Sequence, residues 1–230
     1  MNHFLAKSFH KKTNPDFVGF VDVQGPPSPK SYPRLPSFTL PTNFTKLDDL
    51  ESVLAKRISS RELIKADITI QDISTLLKKA AGERPDQKRP YPSPGGKNSL
   101  EIYLAVQTPF TGLNTGVYHY NVQDHSLEQL LTSENINKVS NCFKYEWAQK
   151  APLVLIITSV LDRLSAKYGD FGYRLALLEA GHLSQNLILV AESLHLKHCV
   201  VSGLLNQELD TVLDLHETEE ISMVSVVIGK

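Results

Sequence analysis

Lys167 and Tyr168 stand side by side in the segment AKYGDFGYRLALLEAGHLSQNLILVAESLHLKHCVVSG, residues 166–203. Lysine and tyrosine both exchange protons near neutral pH once a site shifts their pKa values, so the pair is a candidate for acid–base chemistry. Gly169 and Gly172 break the local pattern, and from Tyr173 a strongly apolar helical periodicity runs to about Leu196. Adjacent residues cannot share a face of a regular helix or strand. The pair is therefore expected in an irregular loop that the two glycines permit, before the helix starts near Tyr173. Along that helix His182, Gln185 and Asn186 interrupt the apolar pattern, and Ala180-Gly181 offers a flat packing surface; His182 is expected as a satisfied core histidine. A second chemistry-bearing stretch is Arg57-Ile58-Ser59-Ser60-Arg61, two guanidinium forks with hydroxyls between them. It suits a phosphate group, or it is an ordinary charged helix end. A third is the loop around Ser93 and Gly95, where glycine lets backbone approach a planar ring closely, or where the prolines simply make a turn.

Composition bounds the setting for these groups. The chain has 230 residues, 41% of them hydrophobic, enough for a sizeable core, and 24 lysines and arginines against 25 aspartates and glutamates. The near-neutral balance gives no basic field for nucleic acid and no polybasic membrane patch. Cys142 and Cys199 lie far apart without CxxC or Cys/His spacing, so neither a metal site nor a disulfide framework is expected, and a reducing compartment is. The opening MNHFLAKSFHKKTN lacks the apolar core of a secretory signal, and no later run reaches membrane-spanning length. The expectation is a soluble cytoplasmic protein. There is no GxGxxG, P-loop, GxSxG or HExxH, and the Lys-Tyr order is the reverse of a YxxxK pair.

The elements that must position these groups follow from periodicity. Residues 1–50 read as a proline-rich arm outside the core, with Gly25 to Pro29, Tyr32 to Pro36 and Leu40-Pro41 unable to sustain helix; residues 51–230 read as the domain. Helical patterns cover Asp48–Ile58 and a stretch led in by Asp67–Asp72 with Ile73, Leu76 and Leu77 at helical spacing. Strands are expected at Leu100–Val106, Gly116–Tyr120, Leu153–Val160 and Ser222–Ile228, and a short helix at Ser126–Ser133. The order predicts an α+β fold with one mixed, mostly antiparallel sheet flanked by helices.

Those fragments, in this order, are similar to one family. LAKSFHKKTN, YPRLPSFTLP, RISSR, ITIQDISTLLKKAAG, RPYPSPGG with LEIYLAV, GVYHYN, and KYGDFGYR followed by LLEAGHLSQNLILVAESLHL cover nearly the whole chain. The chain resembles the nitroreductase-like FMN flavoproteins, and within them the SagB-type, or microcin-type, dehydrogenases that oxidise azoline rings in thiazole/oxazole-modified peptides. The resemblance implies a homodimer with a long central interface helix and FMN as cofactor. It places Arg57, Ser59 and Arg61 at the phosphate and the pyrimidine edge, and Ser93, Gly95, Gln185, Asn186 and Gly203 along the flavin, although Gln185 and Asn186 read equally well as subunit-interface amides. Lys167 and Tyr168 fall on the pair associated with catalysis, with Tyr173 and Arg174 orienting their loop. Oxidation to the azole removes the ring Cα proton while the Cβ hydride goes to the flavin, so a base must face the ring. Where such dehydrogenases carry Ser-Gly-Gly-Ala-Leu-Tyr-Pro this chain has Ser93 to Ser99 as SPGGKNS, which bears on the shape of the pocket. The sequence stops at Lys230, so any flavin contact that longer relatives draw from a C-terminal tail is expected from elsewhere. The implied partners are a precursor peptide and a cyclodehydratase complex. Two other readings compete: an NAD(P)H-dependent flavin reductase or nitroreductase acting on a small acceptor, and a non-catalytic scaffold subunit that keeps the fold.

Overall fold

A computed structural model describes residues 4–14, 21, 27–63, 68–215 and 217–230. The turn signal at Gly25-Pro26 and the helix lead-in at Asp67 lie outside the described residues. In chain order the elements are α1 (Phe4–Lys12), β1 (Ser37–Thr39), α2 (Leu50–Lys56), α3 (Ile70–Ala81), β2 (Leu100–Val106), β3 (Gly116–Asn121), β4 (Ser126–Thr132), α4 (Ile136–Ser140), α5 (Glu146–Gln149), β5 (Leu153–Val160), α6 (Asp162–Tyr168), α7 (Phe171–Ser193), β6 (Lys197–Val201), α8 (Asn206–Val212) and β7 (Glu220–Gly229).

The seven strands form one sheet in the order β1-β4-β3-β2-β5-β7-β6, and each of the paired strands runs antiparallel to its neighbour. β2 and β5 lie at its centre because both of their faces are apolar. Ile102, Leu104, Leu155 and Ile157 point to a core closed by Leu76, Leu77 and Ala80 of α3 and Leu183, Leu187 and Ala191 of α7. Ala105, Val154 and Ile156 point to the opposite core, closed by Val139 of α4, Ala148 of α5 and Leu209 of α8. α3 starts at a capping box, in which Thr69 accepts from the Asp72 amide and the Asp72 carboxylate accepts from the Thr69 amide. At 23 residues α7 is about 34 Å long, and it packs on β2, β5, β6 and β7.

Three expectations are corrected. Ser126–Thr132 is strand β4, not a helix. The Asn121 side chain accepts from the Gln123 and Asp124 amides at 3.1 Å each, and His125 adopts φ +47°, which turns the chain back along β3. Pairing then sets Glu128 opposite His119, and that long-range ladder outweighs the local helical pattern. The proline-rich segment is not wholly outside the core: β1 pairs with β4, and Leu40 is buried. The segment also opens with α1, upstream of its prolines. α1 docks on the start of α7, where Arg174 donates to the His10 carbonyl at 2.6 Å and Phe9 meets Tyr173 edge-on. Arg174 thus anchors the N-terminal helix.

Beside the second core, one end of the sheet buries a charged network. His119 lies fully buried between Glu128 (Nδ1 to Oε2, 2.8 Å) and Glu101 (Nε2 to Oε2, 3.1 Å), and Arg163 pairs with Glu101 at 2.6 Å. Glu220 accepts from Thr158 at 2.6 Å and Tyr103 at 2.9 Å and pairs with Lys30. Burial alone would lower the His119 pKa, but its two carboxylate partners raise it; burial alone would raise those of Glu101 and Glu128, but hydrogen bonds from His119 hold both down. The carboxylate contribution to stability is present above their ordinary pKa of about 4.3 and lost as pH falls; the imidazolium contribution is complete below about 6.5 and lost as pH rises through the raised value. Urea midpoints of wild type and His119→Gln are therefore expected to differ most between about pH 4.5 and 6.5, and to converge toward alkaline pH. A gap independent of pH would show that His119 is neutral in the fold.

Candidate functional site

Lys167 and Tyr168 are the last two residues of α6, not members of an irregular loop. The glycines act differently from the expectation. Gly169, at φ +53°, ends α6 and donates its amide to the Ser165 carbonyl at 2.8 Å. A Cβ on Gly172 would stand 3.1 Å from Leu164 and Ser165, so glycine there lets α7 begin tight against α6. At this helix end both side chains turn the same way, and the Lys167 ammonium lies 5.5 Å from the centre of the Tyr168 ring.

What they turn toward is the turn Pro94–Gly96. Gly95 has φ +58°, and a Cβ built on it would stand 2.5 Å from Tyr168 Oη and 3.8 Å from Lys167 Nζ. The structure therefore joins three of the singled-out residues. The turn is held from below: Ser93 Oγ accepts from the Asn98 amide at 2.7 Å, and Arg163 donates to the Asn98 carbonyl at 2.9 Å. Ser99 Oγ donates to Glu179 at 2.6 Å while accepting from Ser159 at 3.1 Å. Glu179 projects from α7 and is fully buried, and its Oε1 has no hydrogen-bond partner among the described residues; burial raises its pKa against the pull of the Ser99 and Ser93 hydroxyls. No motif marked Glu179, since a glutamate in an apolar helix reads only as a break in the pattern.

The second cluster begins at the other end of α7. Arg57 caps α2, and the chain then runs beside β6, with Ser59 bridging His198 in parallel and the Ser60 amide donating to the His198 carbonyl at 2.9 Å. Arg57 Nη1 is 3.5 Å from Ser59 Oγ. Arg61 sits 5.8 Å from the centre of the Trp147 ring, and Trp147 stacks on Tyr145 at 5.7 Å and 18°. Gly203 lies under that aromatic pair: a Cβ there would be 2.5 Å from the Tyr145 ring, and its carbonyl accepts from the Lys144 amide at 2.9 Å. Neither Arg57 nor Arg61 has a carboxylate partner among the described residues. Buried His198 bonds Glu192 through Nε2 at 3.1 Å, and its Nδ1 has no hydrogen-bond partner among the described residues. No sequence motif marks Tyr145, Trp147 or His198, because only the packing of the 141–151 segment against the end of β6 brings the two aromatic rings to Arg61 and Gly203.

The remaining candidates divide. Asn186 donates to the Ala80 and Pro90 carbonyls at 3.4 and 3.3 Å, tying α7 to α3 and to the loop before Ser93. Gln185 is exposed, and so is His182, which is not the core histidine expected. Both stand on a solvent-facing stripe of α7 with Tyr173, Leu177, Leu178 and Gly181. Within one chain Arg57 and Ser59 lie beside β6 near His198, which bonds Glu192 at the C-terminal end of α7, whereas Lys167 and Tyr168 precede its N-terminus. Gly203 follows β6 as it runs back, three residues before Asn206, which shares a cleft with Tyr173 and Leu177.

An antiparallel sheet with a long helix laid across one face is a known arrangement, and the comparisons agree. The nitroreductase family matches residues 54–230. The chain belongs to that family. Protein MJ1384 of Methanocaldococcus jannaschii, a nitroreductase by name, is 34% identical over 170 residues, 73% of this chain and 85% of that protein. The microcin B17-processing protein McbC of Escherichia coli is 31% identical over 147 residues, 60% of this chain but only 54% of McbC. Among solved structures, a protein of Anabaena variabilis, also a nitroreductase by name, is 25% identical with a TM-score of 0.82, covering 100% of this chain and 48% of that one. The Escherichia coli microcin synthetase McbBCD complex, solved with truncated pro-MccB17 bound, contains a chain with the same fold, at 23% identity and a TM-score of 0.65 over 98% of this chain and 91% of that one. Among the described residues no helix is long and apolar enough to cross a membrane.

The contact between the turn and the pair can be tested by a double-mutant cycle. Gly95→Ala is expected to destabilise by about 1–3 kcal/mol, from its positive φ and from the collision with Tyr168 Oη. Tyr168→Phe removes the colliding atom and should recover part of the loss, a coupling of about 0.5–3 kcal/mol in denaturant midpoints. Additive effects would mean that the two groups do not touch.

Proposed function

We propose that this protein is an FMN-dependent dehydrogenase that oxidises thiazoline or oxazoline rings of a peptide to the aromatic azoles. The observation that carries the reading is the convergence of Lys167 Nζ and Tyr168 Oη on Gly95, an amine and a phenol facing one glycine turn. The sequence relationship to McbC, and to the trifolitoxin-processing protein TfxB of Rhizobium leguminosarum at 26% identity over 174 residues, supports a peptide substrate. FMN fits the second cluster. Two guanidinium groups without carboxylate partners stand on either side of exposed Ser59 along the chain, Arg57 Nη1 at 3.5 Å from its hydroxyl and Arg61 over Trp147, a donor set suited to a phosphate, and the Tyr145–Trp147 stack beside Gly203 offers an aromatic wall. When bound, FMN would accept the hydride from the ring Cβ. Lys167 would take the Cα proton, and the Tyr168 hydroxyl would hold the ring or relay that proton.

A two-fold pair of chains reconciles the distance between the clusters. α7 is centred near Gly181 and His182, and its exposed stripe of Tyr173, Leu177, Leu178, Gly181 and Gln185 is apolar and flat at that centre. Antiparallel packing of two such stripes would bring the Lys167/Tyr168 end of one protomer toward Arg57 and Ser59 of its partner. This supports a homodimer with two composite sites. Cys142 and Cys199, both free and buried, fit a reducing cytoplasm. McbC belongs to a multi-protein synthetase, which supports a cyclodehydratase complex as the setting.

The similarity to MJ1384 favours a second reading, an NAD(P)H-dependent flavin reductase or nitroreductase. Adding NADPH anaerobically to the yellow protein separates the two: bleaching by NADPH supports the reductase, and bleaching by an azoline peptide alone supports the dehydrogenase.

Lys167→Ala and Tyr168→Phe are expected to stay yellow and lose azoline turnover by about 10²–10⁴-fold. Turnover within about twofold of wild type would remove that residue from the chemistry. Arg57→Ala/Arg61→Ala should purify without flavin, since each charge-assisted bond to the phosphate contributes about 1.5–3 kcal/mol. Leu178→Glu should sediment as a monomer and also lose flavin; a flavin-loaded monomer would exclude the composite site.

A further inference from the structure

Two clefts meet at Arg89, just before the turn that touches Lys167 and Tyr168. One, of about 230 Å³, includes Lys30, Glu101 and Arg163 in its lining; the other, of about 300 Å³, reaches Tyr91, Ser93 and Gly96. Gln87, Arg89 and Asn98 line both, so the two form one trough that ends beside Gly95. The cations of the trough are not equivalent. Lys30 is neutralised by Glu220 and Arg163 by Glu101. Arg89 makes no ion pair among the described residues, and its Nη1 is buried without a hydrogen-bond partner. Glu83 lines the first cleft without pairing to it.

A buried guanidinium nitrogen with no acceptor is costly, because the group has given up water and gained nothing in return. Structures tolerate this where a ligand supplies the acceptor. The charge calls for an anion, and the planar fork of arginine matches the two oxygens of a carboxylate. We infer that Arg89 is the anchor of a subsite for a substrate carboxylate, set on the wall of the trough that reaches Ser93 and Gly96 of the turn whose Gly95 faces Lys167 and Tyr168. Building on the azoline dehydrogenase reading, that carboxylate is an aspartate or glutamate side chain, or the chain terminus, close to the ring being oxidised. Arg89 is a binding and specificity residue there; the proton transfer remains with the pair.

Benzoate and benzamide, which match in shape and differ in charge, test the subsite without any turnover. Isothermal titration calorimetry on the flavin-loaded protein is expected to give benzoate at least about 10-fold tighter binding than benzamide, the ratio that one charge-assisted hydrogen bond confers. The ratio should fall to about one in Arg89→Gln and survive in part in Arg89→Lys, with both variants checked for an unchanged thermal midpoint; if Arg89→Gln does not fold, the loss of preference between wild type and Arg89→Lys decides. Equal affinities in wild type, no benzoate binding, or a preference that persists in Arg89→Gln would each overturn the proposal. Turnover of two thiazoline peptides carrying aspartate or asparagine next to the ring separates this proposal from the reading beneath it. A lower KM for the aspartate peptide in wild type but not in Arg89→Gln supports the subsite. Equal turnover of both peptides overturns it while leaving the dehydrogenase intact. Selective benzoate binding with no oxidation of either peptide keeps the subsite and removes the azoline reading.

Discussion

The buried carboxyl of Glu179 is the contact on which the site depends. It projects from the middle of α7 and accepts from Ser99 at 2.6 Å, while Ser99 accepts from Ser159 on β5. Helix, turn and central strand are thereby fixed to one another through a single group. Ser93, at the far side of the same turn, accepts from the Asn98 amide at 2.7 Å and closes the turn on itself. A polar side chain inside an apolar layer is tolerated only when its partners are in place, so the 93–99 turn has little freedom to move. That rigidity holds Gly95 against Tyr168 and Lys167, and a site built on a pinned turn and a helix terminus is better defined than one on an open loop.

Polar groups are placed asymmetrically in this fold. The core between the sheet and α3 and α7 is mostly apolar, with Glu179 and the Ser74–His125–Tyr120 chain buried in it, whereas the opposite side of the sheet carries the charged network of Glu101, His119, Glu128 and Arg163. The two meet at Arg163, which pairs with Glu101 and also donates to Asn98 at the base of the turn. Electrostatic order in the sheet is thus communicated to the loop beside the proposed reaction centre. The proline-rich segment closes this side as well, with Lys30 on Glu220 and Tyr32 edge-on to His119. Its role is to seal a charged interior, which a polar segment with few demands on secondary structure can do.

Much of the architecture was legible along the chain. LVLIITSV announces a buried strand because both of its faces are apolar, LEIYLAV reads as a strand by its alternation, and ITIQDISTLLKKAAG carries its own capping box and its own stripe. The long helix was visible within two or three residues at each end. Ser126–Thr132 was not: SLEQLLT satisfies a helical spacing as well as a strand, and only the turn at Asn121 and the pairing of Glu128 with His119 decide it.

Sequence by itself determined which residue types were available for chemistry: a lysine next to a tyrosine, two arginines around a serine, a glycine in a proline turn. Their types are local facts, written in the covalent chain. Tertiary structure decided which of them share a site. Gly95 lies 72 and 73 residues from Lys167 and Tyr168, yet it touches both because β2 and β5 pair and Glu179 draws the turn onto α7. Arg57, Ser59 and Arg61 are held at the opposite end of that helix, because the chain after α2 runs alongside β6. No spacing rule reports such distances, since contacts between remote segments follow from which apolar faces find each other and which buried polar groups find partners.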